Sequence, residues 1–312
     1  MNPTTKPTRW VLPFLLLALV VGCSGEPAEA PTGPRVFATP EEAASALFDA
    51  IDRDDKQAVV SIFGREYESR IVTANWGATL EVRQRIAAAG REKLVIDDQD
   101  GEVTLVLGAK DWPFPMPLVR AGEGWRFDTE EGLVRVADRR IGRNEQSAIA
   151  IANAYVDAQI EYVLADRDGD EVLEYAQKLV STDGEQDGLY WESGPDDEMS
   201  PFGPFVKGAE SYLDTRQPGD PLRGYYFKIL TRQGKSPPGG AYEYIINGNM
   251  IAGFALVAYP ADYGSTGIMT FVVNHRGVVQ QKDLGPFPGM DGYDPDDTWA
   301  DVEESEEPAL AP

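Results

Sequence analysis

Helical periodicity gives way to strand periodicity twice along the 312 residues, and this order restricts the fold more than any other feature. In residues 36–140 helix signals come first and short apolar or alternating runs follow, and residues 141–299 repeat the order with longer elements. Helices followed by antiparallel strands favour the α+β class. The length and the repeated order together predict two domains, at 36–140 and 141–299.

The first block predicts helices that pack on an antiparallel sheet. Thr39 is placed as an N-cap, with Pro40 at the first helical position and Glu42 three residues after the cap. A second helix is expected after Asp54-Asp55, and a third over 81–89, closed by Gly90. Strands are expected at 94–96, 102–107, 118–120 and 125–128. This order is similar to the nuclear-transport-factor-like fold, in which a curved sheet wraps a pocket.

Alternating prolines in Trp112–Pro117 exclude a helix or a central strand and favour an extended edge segment. Two interpretations stand side by side. The segment is either a docking strip for a partner or a rigid edge whose Trp112, Phe114 and Met116 pack beneath the sheet, and we prefer the second.

The second block predicts a long helix packed on an antiparallel meander. Asn144 is placed as the cap of a helix over 145–164, and a second helix is expected over 172–180. Strands are expected at 225–231, 242–246, 251–259, 268–273 and 278–282. Asn247-Gly248 is a strong signal for a type I′ hairpin turn, and Asn274–Gly277 is expected to form a second turn. Aromatic residues at strand spacing are more simply explained by a core than by a binding surface.

Seven short motifs carry a family resemblance. They are Arg139–Glu145 (RRIGRNE), Gly188–Trp191 (GLYW), Ser200–Pro204 (SPFGP), Gly224–Phe227 (GYYF), Pro238–Tyr242 (PGGAY), Gly253–Pro260 (GFALVAYP) and Asn274–Gly277 (NHRG). They resemble domain-of-unknown-function family 2950, a bacterial family, which implies an envelope protein and no established activity. The helix and meander also resemble the head of type IV pilins and pseudopilins. Here the helix is internal and contains Asn153, Asp157 and Glu161, which argues against pilus assembly through it.

The amino terminus predicts export and lipidation. Lys6 and Arg9 precede an apolar run over 10–21 that is too short to span a bilayer, as in a secretory signal peptide over residues 1–22. Val20-Val21-Gly22-Cys23 resembles a lipobox, which makes Cys23 the diacylated first residue of the mature protein. A chance Cys is the alternative. Ser24 favours the outer membrane, facing the periplasm, and residues 24–35 favour a flexible tether.

Composition excludes several classes of function. The chain has 52 acidic and 28 basic side chains, a net charge of −24, and cleavage before Cys23 removes two bases to leave −26. Such a charge disfavours nucleic acid as a partner. One Cys and one His allow neither an internal disulfide nor an ordinary zinc site. Acidic residues dominate 183–198 and 291–307, and 300–312 is predicted to be a solvated tail.

No catalytic motif assembles from the sequence. Gly234-Lys235-Ser236 resembles the end of a P-loop, but Ile229 stands where the first Gly belongs and the following prolines forbid the helix. His275 is the one histidine available to a catalytic triad, and it falls in a predicted turn where polar residues are common. Paired carboxylates could serve glycosidase chemistry, but the abundance of acids makes such pairs uninformative.

Alternating acids at Asp166, Asp168 and Asp170 are the best ligand candidate. They resemble the start of an EF-hand calcium loop, but position six is Glu171 instead of Gly and position twelve is Gln177 instead of Glu. The alternative is a solvated turn between two helices, with Asp170 as the cap of the second. Calcium is thus the one cofactor that the sequence indicates.

The sequence as a whole predicts a lipoprotein of the cell envelope, without catalytic function, that serves as a binding or assembly module. Its expected partners are the membrane, through Cys23, and an envelope protein. The alternative is a hydrolase that acts on an envelope polymer through paired carboxylates. An exposed apolar or aromatic patch would favour the binding module. A concave site with acids of raised pKa would favour the enzyme.

Overall fold

A computed structural model describes Met1 and residues 33–194, 198–203 and 220–303. The predicted export signal, Cys23, most of the tether and the end of the acidic tail lie outside these residues. The described chain mixes helices with antiparallel sheets, so the α+β class is confirmed.

Four helices open the first half, which we define as residues 33–128. They are α1 (Pro40–Asp52), α2 (Lys56–Phe63), α3 (Glu68–Ile71) and α4 (Leu80–Glu92). The predicted start of α1 is confirmed, since the Thr39 hydroxyl accepts a hydrogen bond from the Glu42 amide at 3.2 Å. Asp55 caps α2 in the same way, through the Ala58 amide at 3.0 Å.

The prediction that Gly90 closes its helix is wrong, because α4 continues through it to Glu92. A β-carbon at Gly90 would lie less than 3 Å from the ring of Phe48 in α1. The missing side chain therefore serves close packing of α1 on α4 and has no capping role.

The first sheet contains β1 (Leu94–Gln99), β2 (Glu102–Leu107), β3 (Trp112–Pro113), β4 (Leu118–Ala121) and β5 (Gly124–Phe127). The order is β1-β2-β4-β5, antiparallel throughout, and β3 pairs with the end of β2. Trp112, Phe114 and Met116 are buried in the core between this sheet and the helices. The proline-rich segment is therefore the rigid edge that the sequence predicts.

A single helix, α5 (Thr129–Tyr162), joins the first half to the second, which we define as residues 163–303. The predicted start at Asn144 is wrong. Asp128 is the cap and accepts a hydrogen bond from the Glu131 amide at 3.3 Å, and no proline interrupts the helix after it. The Asn144 side chain instead donates to the Thr266 carbonyl oxygen at 2.8 Å. The helix runs from the core of the first half to a separate core in the second.

The helix predicted over 172–180 is absent from the structure, and an irregular segment replaces it. Its backbone groups are bonded to other parts of the chain. The Tyr175 amide donates to the Met250 carbonyl at 2.9 Å, and the Leu189 amide donates to the Lys178 carbonyl at 3.1 Å. These partners replace the internal bonds that a helix would need, so Asp170 caps no helix.

The strands of the second half are β6 (Tyr225–Leu230), β7 (Arg232–Gln233), β8 (Tyr242–Glu243), β9 (Ile245–Ile246), β10 (Asn249–Met250), β11 (Ala255–Pro260), β12 (Thr270–Asn274), β13 (Gln280–Lys282) and β14 (Ala300–Asp301). An antiparallel meander has the order β14-β13-β12-β11-β6. Asn247 and Gly248, with φ of 54° and 102°, form the predicted turn between β9 and β10.

Helix α5 packs on the meander at β11 and β12, so the predicted helix-on-meander arrangement is confirmed. Residues 283–299 also pack against the meander, where the rings of Tyr259 and Phe287 stack at 3.9 Å. Among the described residues, no helix combines the length and the hydropathy that a membrane crossing requires.

Candidate functional site

The acidic loop Asp166–Glu171 follows α5 and presents the three carboxylates that the sequence singles out. Asp166, Asp168 and Asp170 are exposed, and one oxygen from each lies within 4.8 Å of the others. Oxygen ligands at this spacing are of the kind that Ca²⁺ prefers. The structure therefore brings the three predicted ligands together.

Backbone amides fix the conformation of the acidic loop. Asp166 accepts hydrogen bonds from the amides of Gly169 at 2.8 Å and Glu171 at 2.9 Å, and these bonds lower the pKa of its carboxyl group. Glu171 adopts a left-handed φ of 67° at position six of the resemblance, where an EF-hand has Gly. Gln177, at position twelve, donates to the Gly248 carbonyl at 2.7 Å instead of supplying a carboxylate. The loop turns as a calcium loop does but lacks its last ligand.

Arg167, between two of the acids, anchors the acidic loop to the core. Its guanidinium carbon lies 5.0 Å from the ring centres of both Tyr162 and Trp191, and its side chain is only 6% exposed. It also forms an ion pair with Glu198 at 3.2 Å. Because Arg167 points inward, its neighbours Asp166 and Asp168 are left at the surface.

Gln159 holds the segment after the acidic loop. Its buried side-chain amide accepts from the Ala176 amide at 2.8 Å and donates to the Ala176 carbonyl at 2.8 Å. It also donates to the Tyr155 hydroxyl at 3.0 Å. The Gln159 side chain thus satisfies both backbone groups of Ala176, as a neighbouring strand would. This pairing holds the irregular segment in place although it belongs to no sheet.

The β9–β10 hairpin lies against the acidic loop. Asn249 donates to Asp170 at 2.7 Å, and Glu174 accepts from the Met250 amide at 2.9 Å. Leu173 precedes Glu174 in the chain, Ile246 lies in β9 and Ile251 follows β10, and all three side chains are exposed. We call residues 166–174 together with 246–251 the loop–hairpin surface. It combines carboxylates with branched apolar side chains.

His275 lies in the predicted turn but faces no carboxylate of the described chain. Its ring packs edge-on near Tyr244 and Phe254, with centroids 6.1 and 6.2 Å away, and its Nδ1 is buried without a hydrogen-bond partner. Burial, and then repulsion by Arg276, lower the pKa of the imidazole. The arrangement is that of a packed turn residue and not of a triad base oriented by an acid.

Hydrogen bonds lower the pKa of three carboxyl groups in the described part of the chain. They are Asp166, Asp187 and Asp296. For Asp187 a hydrogen bond from Lys178 is the largest cause and brings the pKa to about 2. A general acid needs the opposite shift, so these three groups do not favour the hydrolase alternative.

Two of the motifs behind the family resemblance, Arg139–Glu145 and Gly224–Phe227, meet where α5 joins the meander. Glu145 accepts hydrogen bonds from the amides of Ile268 at 2.9 Å and Met269 at 3.0 Å, beside the bond from Asn144 to Thr266. A β-carbon on Gly224 would lie less than 3 Å from the Asn144 side chain. These residues position α5 on the sheet and are structural.

Sequence reasoning missed Gln159 and Arg167, the two side chains that hold the loop–hairpin surface in place. Arg167 alternates with the acids along the chain. Its contact with Trp191, in the GLYW motif, joins residues that are distant in sequence, so no local pattern reveals it. Gln159 is one polar residue on an otherwise apolar helix face, and this is the one sign that could have identified it.

Comparison with known proteins gives one match. A family model described as a protein of unknown function (DUF2950) matches residues 34–302. No curated protein and no solved structure matches the chain, so the resemblances to nuclear-transport-factor-like and pilin-like folds stay predictions.

Proposed function

This chain belongs to the DUF2950 family of proteins of unknown function, and we propose that it is a non-catalytic binding module of the bacterial envelope. In this proposal Cys23 carries the lipid anchor, and the loop–hairpin surface binds a protein partner. The anchor rests on the sequence, since the basic start, the short apolar run and the lipobox-like residues end at the one Cys.

The positions of the exposed bulky apolar side chains are the observation that supports this binding surface. In residues 33–136 the exposed large apolar side chains are all valines, Val36, Val82, Val95, Val134 and Val136. From residue 160 onward they include Ile160, Leu164, Leu173, Met199, Ile246 and Ile251. Exposed apolar groups that lie together and are rimmed by polar residues are typical of interaction sites. Leu173 follows the acidic loop in the chain, and Ile246 and Ile251 belong to or adjoin the hairpin whose Asn249 and Met250 are bonded to Asp170 and Glu174.

The charge around these apolar side chains indicates the chemistry of the partner. Asp166, Asp168, Glu171 and Glu174 lie in or next to the acidic loop, and Asp170 is already bonded to Asn249. A complementary partner presents Lys or Arg beside apolar side chains, as one face of a basic amphipathic segment does. We therefore propose a cationic, amphipathic segment of an envelope protein as the occupant.

The anchoring of the surface supports this proposal on energetic grounds. Gln159, Arg167 and Glu174 fix the irregular backbone before any partner arrives. A surface that is already ordered loses less conformational entropy on binding, so more of its contact energy appears as affinity.

A titration with a defined probe tests the surface. The probe is a synthetic amphipathic peptide of Lys and Leu at helical spacing, added to the exported chain with Cys23→Ser. The triple variant Leu173→Ser, Ile246→Ser, Ile251→Ser keeps every charge but removes three apolar side chains. Each removal is expected to cost about 1 kcal/mol, so the three together should weaken binding roughly a hundredfold.

The matched control is Val82→Ser with Val95→Ser in the first half, which should leave the affinity unchanged. If the control weakens binding as much as the triple variant, the peptide binds by charge anywhere on the chain and the assignment of the surface is wrong.

The anchor is tested separately with Cys23→Ala in producing cells, which should release the protein from the membrane fraction. Continued membrane fractionation of that variant would refute lipidation.

A further inference from the structure

We propose that Gly142 makes the middle of α5 a flexible joint, about which the second half changes its orientation relative to the first. The proposal goes beyond the binding surface and does not depend on it. Three observations support it. The contacts of α5 pass from the first half to the second near Gly142, the space beside Gly142 is open, and three arginines follow one another along this part of the helix.

Contacts of α5 pass from one half to the other within a few residues of Gly142. Toward the amino terminus, Arg135 forms an ion pair with Glu102 at 2.8 Å, and Arg139 donates to the Pro113 carbonyl at 2.8 Å. Toward the carboxyl terminus, Asn144 and Glu145 bind the backbone of residues 266–269. Arg140 also reaches the second half, since its guanidinium donates to the Ser265 hydroxyl at 3.5 Å. The contacts of α5 therefore change from the first half to the second between Arg139 and Asn144, the interval that contains Gly142. We call Arg140–Arg143 the bridging stretch.

The bridging stretch belongs to neither core. Ile141 is its one buried residue, and it is part of neither hydrophobic cluster. Among the described helices and strands, the closely packed pairs lie within one half or involve α5. The orientation of the halves thus depends on the helix itself.

Glycine at position 142 has no packing reason in the described chain. A β-carbon at Gly90 or Gly132 would lie closer than 3 Å to Phe48 or Met116, so close packing accounts for those two helical glycines. Around Gly142 no heavy atom of the described residues lies within 4 Å of such a β-carbon, apart from its chain neighbours and the local helix backbone. Glycine weakens a helix relative to alanine because its backbone has more conformational freedom to lose. That weakening falls in the bridge.

Charge weakens the same stretch. Arg135, Arg139 and Arg143 follow one another at intervals of four residues, the spacing that places side chains side by side on a helix. Burial lowers the pKa of Arg139, and repulsion from Arg135 and Arg143 lowers it further. Like charges at this spacing disfavour the helix, so two separate features loosen it at one place.

Distances between two spin labels test the joint in the full exported chain with Cys23→Ser. One label is placed at Val95→Cys in the first half and one at Val278→Cys in the second, both exposed positions. Double electron–electron resonance should give a broad distance distribution that narrows in Gly142→Ala. The same substitution should raise the melting temperature by about 2–4 °C.

Asn153→Ala is the matched control, because it raises helix propensity at an exposed position of the same helix beyond the bridge. It should leave the width of the distribution unchanged. A second pair at Val82→Cys and Val95→Cys, within the first half, gives the width of a rigid body. The joint is refuted if the distance distribution of the pair across the bridge is as narrow as this reference, or if Gly142→Ala and Asn153→Ala narrow it equally.

Discussion

The two halves of this molecule are stabilised in different ways. In the first half, regular helices and a sheet enclose an apolar core, and the chain from residue 33 to 140 carries 20 acidic against 15 basic side chains. Residues 141–312 carry 30 acidic against 11 basic side chains. In the second half, long irregular segments lie against the meander and are held by buried polar groups such as Gln159 and Gln233. The second half is therefore the one built to present loops.

This contrast explains why the exposed Leu, Ile and Met side chains of the described residues from 33 onward lie in the second half or, for Ile160, at the end of α5 next to it. A loop can carry Leu173 or Ile251 outward only if other contacts fix its backbone. Gln159 and Arg167 supply those contacts from the core side. The first half has no such arrangement around its exposed valines, which lie on regular elements or in the entry segment.

The largest effect on stability is expected from Gln159→Leu. This change leaves the amide and carbonyl of Ala176 buried without partners, at about 1–3 kcal/mol each, so unfolding in urea should show a loss of about 2–4 kcal/mol. The counterpart in the first half is Thr129→Val, which removes one hydrogen bond to the Phe63 carbonyl and should cost about 1 kcal/mol. If Gln159→Leu and Thr129→Val both lost only a small and equal amount of stability, the two halves would not differ in how far buried polar groups stabilise them.

The next effect concerns apolar packing in the first half. Gly90→Ala places a methyl group against the ring of Phe48, and overpacking of this kind costs about 1–3 kcal/mol. Thermal or urea unfolding measures the loss. Gly142→Ala, the same change in open space, serves as the control and should be neutral or stabilising. A neutral Gly90→Ala would show that α1 and α4 are packed less closely than described.

Calcium should act on the second half alone, if the acidic loop binds it. With a dissociation constant of about 0.1–1 mM, 1 mM Ca²⁺ would stabilise the fold by about 0.4–1.4 kcal/mol. Calorimetric titration and melting of the native chain measure this, and Asp168→Asn should abolish both signals. No heat and no melting shift at millimolar calcium would exclude the site.

The smallest effect is the pH dependence contributed by His275, the one histidine of the chain. Burial lowers the pKa of His275 in the folded chain below its usual value of 6.5, so the imidazole binds a proton more strongly in the unfolded chain. Stability should therefore fall as the pH drops through 6.5 toward 5. His275→Gln removes this titration and should flatten the dependence of stability on pH between 6.5 and 5. A native profile that matches the variant would show that the imidazole is solvated.

The fold of the first half could be predicted well from sequence because local signals and tertiary contacts agree there. Thr39, Asp55 and the proline-rich edge all behave as their patterns indicate. Gly90 is the exception, since the partner that requires it, Phe48, is distant in sequence.

Predictions for the second half fail where long-range polar contacts replace local ones. The expected helix over 172–180 is replaced by pairing with Gln159, Met250 and residues 188–190, none of which a local pattern reveals. The three aspartates of the acidic loop were identifiable because their spacing is local, whereas the hairpin that lies against them was not.

Site-specific photo-crosslinking in producing cells tests directly whether a partner binds at the loop–hairpin surface of the second half. A photoreactive amino acid is placed at Ile246 and, for comparison, at Val95 in the first half, with Cys23 intact. We expect a discrete adduct at Ile246 that disappears when Leu173→Ser and Ile251→Ser are added, and no adduct at Val95. An adduct at Val95 of equal yield, or one at Ile246 that survives both substitutions, would contradict binding at this surface.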